Sequence, residues 1–277
     1  MIGFFAGVRS EFTKIFTTRL WWSLALVLVL YLMALTGGLG LLFAGLQTGA
    51  IHARHGLVPS FGDLAPPLYS FATSIGYVFP VLFGALITAG EWGYQTITPT
   101  FLANPHRYTV LWAKIVTAVA FGAAYGALAL AASVSSGAAA LTHYGLNAEL
   151  GDHATWHLFG RAVIAMALWG FVGVGLGVLV PNQAAVIVII LAFTQFVEPL
   201  LRLGAAFSVE TAGAAKFLPG ASSDALVGAS FLDLQNTAEG AMVVDQLSWQ
   251  HGGVMLVIYG AAVTVIGCLT TWRRDVS

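Results

Sequence analysis

Charged side chains are scarce in this chain, so each one is a candidate for chemistry. Near one end of the fifth long apolar run, Gln195, Glu198 and Arg202 recur at helical spacing, which puts all three on one helical face. An ionised group at the bilayer centre costs roughly 2.5 to 3.5 kcal/mol on insertion scales, so such groups face protein, water or each other. Glu198 and Arg202 can pair across one turn, and the three together are candidates for lining a translocation path. The segment from Glu91 to Arg107, EWGYQTITPTFLANPHR, is the second candidate. In it Thr98 can cap free amides, Pro99 fits the first helical position, and Asn104 before Pro105 is a stop. The predicted helix is very short and presents Phe101 and Leu102 on one side. It is too short to be stable alone and needs something to pack against.

Other constellations are weaker. His153 and His157, or His52 and His55, have ligand-like spacing but no further ligands nearby, so no metal site is assigned. Ser136 and His143 are too far apart along one helix for a nucleophile and its base. The lone Cys268 precludes an intrachain disulfide. No Gly-x-x-x-x-Gly-Lys-Ser/Thr sequence is present, and none of Lys14, Lys114 or Lys216 follows a glycine, so no nucleotide motor is expected in this chain.

The elements that must position these residues follow from composition. Of 277 residues, 58% are hydrophobic and 8% are charged, against about 25% charged in an ordinary soluble domain. A lipid-facing surface accounts for that deficit, and a net charge of -1 with scattered basic residues argues against nucleic acid as a partner. A spanning helix needs roughly 20 apolar residues. Six runs qualify: Trp21 to Leu46, Leu68 to Ala89, Leu111 to Leu141, Leu158 to Val180, Ala184 to Leu203, and Gly252 to Trp272. The expected fold is an all-α integral membrane protein forming one transmembrane domain over 1–277. The third run is longer than a bilayer requires and is expected to tilt or to project into water beside Lys114. Pro80 is expected to loosen or kink the second span. Gly170, Gly173 and Gly177 give the fourth span a face that another helix can approach closely.

Arg9, Lys14, Arg19, Arg107, Lys114, Arg273 and Arg274 collect on one side if both ends lie inside, with Arg54, Arg161, Arg202 and Lys216 toward the other; this predicts cytoplasmic termini. Residues 1–20 read as an amphipathic interfacial helix, with Phe5, Val8, Phe12, Ile15 and Phe16 opposing Arg9, Thr13, Lys14 and Thr17. Trp21 and Trp22 mark the entry into lipid. The connection 204–250 is too polar to span. Phe207, Phe217, Leu218, Leu226, Val227, Phe231 and Leu232 predict short helices on or in the outer leaflet, with a turn at Pro219 and Gly220, forming a lid. Glu210, Asp224, Asp233, Glu239 and Asp245 fall in the same outer connection.

The order of amphipathic SEFTKIFTTRLWW, a spanning pair, and then GEWGYQTITPTFLANPHRYTVLWAK resembles the permease family of type-2 ABC exporters, the ABC-2 membrane proteins. The likeness extends over essentially the whole chain. Its sharpest parts are Ser10, Glu11 and Lys14 in the first segment, and Gly90 and Glu91 followed by Thr96, Pro105, Arg107 and Lys114 in the second. The resemblance implies a coupling helix over Thr98 to Asn104 that docks in a groove of an ATP-binding subunit, and a connecting helix over Phe4 to Thr18. One departure is Val180-Pro181-Asn182-Gln183, where the family pattern would put a basic residue at Pro181.

What the resemblance implies is a plasma-membrane permease moving an apolar or amphipathic molecule outward. Two ATPase subunits, with their own ATP and Mg, would sit beneath a pair of permease subunits, either two copies or two relatives. The spans offer little to a sugar or an ion, which favours a drug-like molecule, natural product or lipid. The alternative is a motor-free membrane protein, such as an ion-coupled carrier or a scaffold subunit.

Overall fold

The computed structural model describes residues 2–51, 63–104, 106–205, 213–230 and 247–272, and among these every regular element is helical. In chain order they are α1 (Ile2–Thr17), α2 (Leu20–Gln47), α3 (Ala65–Ser74), α4 (Val78–Gly93), α5 (Ile97–Ala103), α6 (Arg107–His143), α7 (His153–Leu179), α8 (Gln183–Ala192), α9 (Glu198–Ala205), α10 (Pro219–Val227) and α11 (Trp249–Gly267). Wider π-helical turns occupy Phe193–Val197 and Cys268–Trp272. Among the described residues, six segments are long and apolar enough to cross a membrane: Leu20–Gln47, Ala65–Gly93, Arg107–His143, His153–Leu179, Gln183–Ala205 and Trp249–Trp272.

The second of these is two helices, not one. Between α3 and α4 the chain turns at Ile75 to Tyr77, where a Cβ on Gly76 would collide with the Ala72 carbonyl. The turn moves Pro80 to the third position of α4, where a helix has no use for an amide anyway. In the fifth span, Pro199 cannot donate to the carbonyl of Gln195, and the helix widens into its π turn immediately before it.

The fourth span, α7, is the hub, with α4, α6 and α11 all packed against it and α2 packed against α6. Close approach is made possible by glycine. A Cβ added at Gly170 would strike the Ala118 carbonyl, at Gly173 that of Val81, and at Gly177 that of Ala85. Burial is uneven around this hub. In the most apolar window of the second span 72% of residues are buried, but only 22% in the first and fifth spans. Along α2 the buried residues Leu28, Leu32, Thr36, Gly40 and Ala44 form one stripe at four-residue spacing, flanked by partly buried residues such as Ala25, Val29 and Leu39.

The third span runs for 37 residues, roughly 55 Å at helical rise. Lys114 does not stand in water as its sequence position predicts, because α1 packs along this end of α6 and covers it completely. Helix α1 is packed onto the bundle: Glu11 and Ile15 are buried against it, and the rings of Phe12 and Phe16 lie tilted against Phe121 with centroids 5.6 Å away. Phe5, by contrast, is exposed. Trp272 reaches Arg107 at this same end, so both described ends of the chain meet there.

Candidate functional site

Four charges from distant parts of the chain converge where α1, α4 and α6 meet. Helical spacing brings Glu11 and Lys14 to the same side of α1, one turn apart, and Lys14 Nζ donates to Glu11 Oε1 at 2.7 Å. The same ammonium reaches Glu91 Oε1 at 2.7 Å, near the end of α4. From α6, Lys114 donates to Glu11 Oε2 at 2.8 Å, lies 2.9 Å from Glu91 Oε1, and donates to the Ile87 carbonyl at 3.2 Å. Two carboxylates and two ammonium groups balance, which is what makes a fully buried lysine tolerable. Burial by itself pushes the Glu11 carboxyl up, but Lys114 and Lys14 beside it hold it below its ordinary range. Burial likewise works against charge on Lys14, and the two carboxylates override it and raise that ammonium's pKa.

The short helix α5 is fastened to this cluster. Lys14 Nζ also donates to Thr100 Oγ1 at 3.3 Å. Gln95, in the left-handed region at φ 55, reverses the chain so that the Thr96 amide reaches the Glu91 carbonyl at 2.9 Å. The helix begins at Ile97 with Thr96 as its flanking residue and no side-chain cap, so Thr98 and Pro99 lie inside its first turn and are exposed, not capping. Ile97 is buried in an apolar group with Val110, Leu111 and Trp272. Phe101 does not project as its neighbour does: its ring meets Trp272 edge-on at 5.2 Å, and the Arg107 guanidinium lies 5.0 Å above it. Arg107 also donates to the Trp272 carbonyl. Leu102 is 80% exposed and Tyr94 74%, so these two form the apolar surface of the loop. Asn104 accepts from the His106 amide at 3.2 Å, and Pro105 lies outside the described residues.

A second network lies about 25 Å further along the second span. Arg202 gives Nε and Nη2 to Glu198 Oε1, at 3.2 and 2.9 Å, and Nη1 to Asp224 Oδ2 at 2.7 Å. The first amides of α10 close on the same Glu198 oxygen, Gly220 at 2.6 Å and Ala221 at 3.2 Å. Asp224 also accepts from Ser74 Oγ at 2.9 Å and from Ser230 Oγ at 3.0 Å, and Trp169 Nε1 donates to Ser223 Oγ at 3.0 Å. Helix α10, expected at or in the outer leaflet, is sunk among α3, α7 and α11, with Ser222 to Val227 all buried. Gln195 does not join: the π turn rotates it away from Glu198, leaving Gln195 exposed while Thr194 and Glu198 face inward.

Sequence spacing pairs Glu198 with Arg202 but misses Asp224 and Ser74, and it misses the mutual contacts of Glu11, Lys14, Glu91 and Lys114. The available signal was a lysine inside the apolar run Ala113 to Val116, which demands a buried partner. His52, His55, Arg54, Phe207, Glu210, Phe231, Leu232, Asp233, Glu239, Asp245, Arg273 and Arg274 lie outside the described residues. The turn at Asn182 is closed by its own side chain, which accepts from the Ala185 amide at 3.0 Å and starts α8. No protein-family model matches this chain, and no curated protein matches it.

Proposed function

We propose that this chain is the membrane-spanning permease subunit of an ATP-driven exporter, with α5 as the element that receives motion from a separate ATPase. The observation that carries the reading is the pairing of two exposed apolar side chains, Leu102 and Tyr94, with a polar root, the Lys14–Thr100 hydrogen bond into the largely buried four-charge cluster. A helix of seven residues has little stability of its own, so a push on its tip passes to α1, α4 and α6 together. Each ATPase carries its own ATP and Mg, two of them serve a pair of permease subunits in the plasma membrane, and the α1 end faces the cytoplasm. The cargo is an apolar or amphipathic molecule, since the spans present few polar groups to a sugar.

The test is co-purification of the tagged chain with its native neighbours in mild detergent. An ATP-binding protein is expected to accompany the native chain and to be lost on Leu102→Asp plus Tyr94→Asp. Phe101→Leu, which keeps the inward packing apolar, is expected to retain it. Absence of any ATP-binding partner from the native preparation would move the chain to the motor-free carriers or scaffolds.

A further inference from the structure

The network around Glu198 is one positive charge short. Glu198 and Asp224 share the single guanidinium of Arg202, and no other ion pair reaches either carboxylate among the described residues. The N-terminus of α10 contributes the equivalent of about half a positive charge, which reduces the deficit without closing it. The geometry is lopsided as well. An arginine commonly forks across both oxygens of a carboxylate. Here two guanidinium nitrogens and two backbone amides all converge on Oε1 of Glu198, and Oε2, buried in a residue 2% exposed, has no hydrogen-bond donor among the described residues.

The surroundings indicate which kind of cation fits. An inorganic ion such as calcium needs about six to eight oxygen ligands. Beside Glu198 stands an aromatic pair instead: Tyr77, whose hydroxyl is a hydrogen-bonding neighbour of the carboxylate, stacks on Trp169 with centroids 4.4 Å apart. Aromatic faces attract organic cations and accept apolar bodies. The covering element is α10, which meets α11 closely at Gly252, where a Cβ would collide with the Ser222 carbonyl, so access to Glu198 requires these two helices to part.

We propose that Glu198 is the docking carboxylate for the charged head of a cationic amphiphile, an ammonium or phosphonium group on an apolar body, and that the Gly220 and Ala221 amides hold its place when no cargo is bound. This deepens the export reading, on which the word cargo rests, by naming its class. Withdrawal of α10 strips two donors from Glu198. A cationic ligand restores the lost compensation; a neutral or anionic one of equal size leaves a carboxylate poorer in donors than before, and is rejected for that reason.

Tetraphenylphosphonium and the size-matched anion tetraphenylborate are the probes, measured by equilibrium dialysis on the purified permease alone. The cation is expected to bind saturably, and Glu198→Gln to weaken it about tenfold, with no such loss for the anion. In a Cys268→Ser background, Ser222→Cys, at a hydroxyl that makes no hydrogen bond among the described residues, is expected to be labelled faster by a thiol reagent when the cation is present, because exchange lifts α10. Native affinity in a folded Glu198→Gln variant, or labelling indifferent to the cation, would overturn the proposal. Should Glu198→Gln fail to fold, judged by its melting curve, the labelling measurement decides alone with Glu198 intact. Neither assay contains an ATPase, so a failed co-purification would sink the exporter reading without touching these results.

Discussion

Lys114 illustrates what a single residue contributes when its partners come from far away in sequence. Fully buried and held by Glu11, Glu91 and the Ile87 carbonyl, it is stable only because two carboxylates accompany it. Replacing it by methionine leaves those carboxylates with Lys14 alone, and a loss of about 3–5 kcal/mol is expected in reversible unfolding. Glu11→Gln combined with Lys114→Met is expected to cost less than the two single changes added together, and a double-mutant cycle checks it. The same cluster gives stability a defined pH range. The Glu11 carboxyl is held below its ordinary 4.5, so its contribution is whole above that value and is lost as pH falls through the lowered one. The Lys14 ammonium is raised above its ordinary 10.5, so its smaller, solvent-screened contribution is whole below that and is lost as pH rises through the raised value. Melting temperature against pH is therefore expected to show an acid limb beginning below 4.5, which Glu11→Gln flattens.

At the scale of elements, the hub helix α7 works through what it lacks. Its glycines allow the backbones of α4 and α6 to come within contact of its own, so a methyl group at Gly173 has nowhere to go but into the Val81 carbonyl. Gly173→Ala is expected to destabilise by about 1–3 kcal/mol. Gly38, in α2, meets nothing within 4 Å, and Gly38→Ala is expected to be neutral or to stabilise by about 0.4–1 kcal/mol through the backbone entropy term. Resistance to denaturant of the two variants, measured side by side, separates packing from propensity. Helix α5 makes the complementary point. Its inward residues Ile97 and Phe101 pack on Trp272 and its neighbours, its outward Leu102 is exposed, and the left-handed turn at Gln95 leads into that arrangement.

At the scale of the molecule, only 22% of the residues in the most apolar window of the first and fifth spans are buried, against 72% in the second. Lipid can cover such exposed faces; on the exporter reading proposed above, a transport path for a sizeable cargo also needs more wall than one bundle with α7 at its centre provides. A pair of permease subunits is therefore expected, and native mass measurement in mild detergent, with the ATPase bound, is expected to give two of each chain.

Much of this was legible in the sequence. Six apolar runs, a helix ahead of the first of them, the short helix before Arg107 and the Glu198–Arg202 pair all follow from local spacing, because helical periodicity and bilayer thickness act on neighbouring residues. What local spacing could not supply was anything that depends on crossing helices. The break at Gly76 relocates Pro80, the π turn before Pro199 turns Gln195 away from Glu198, and α10 carries Asp224 from an apparent outer loop into a buried network. The contacts of Lys114 with Glu11 and Glu91 join residues whose separation along the chain tells nothing of their distance in space. Only the packing of α1 and α4 on α6 decided that these scattered charges neutralise one another. A charge buried in an apolar bundle is tolerated only with its partner in place, and tertiary structure chooses the partner.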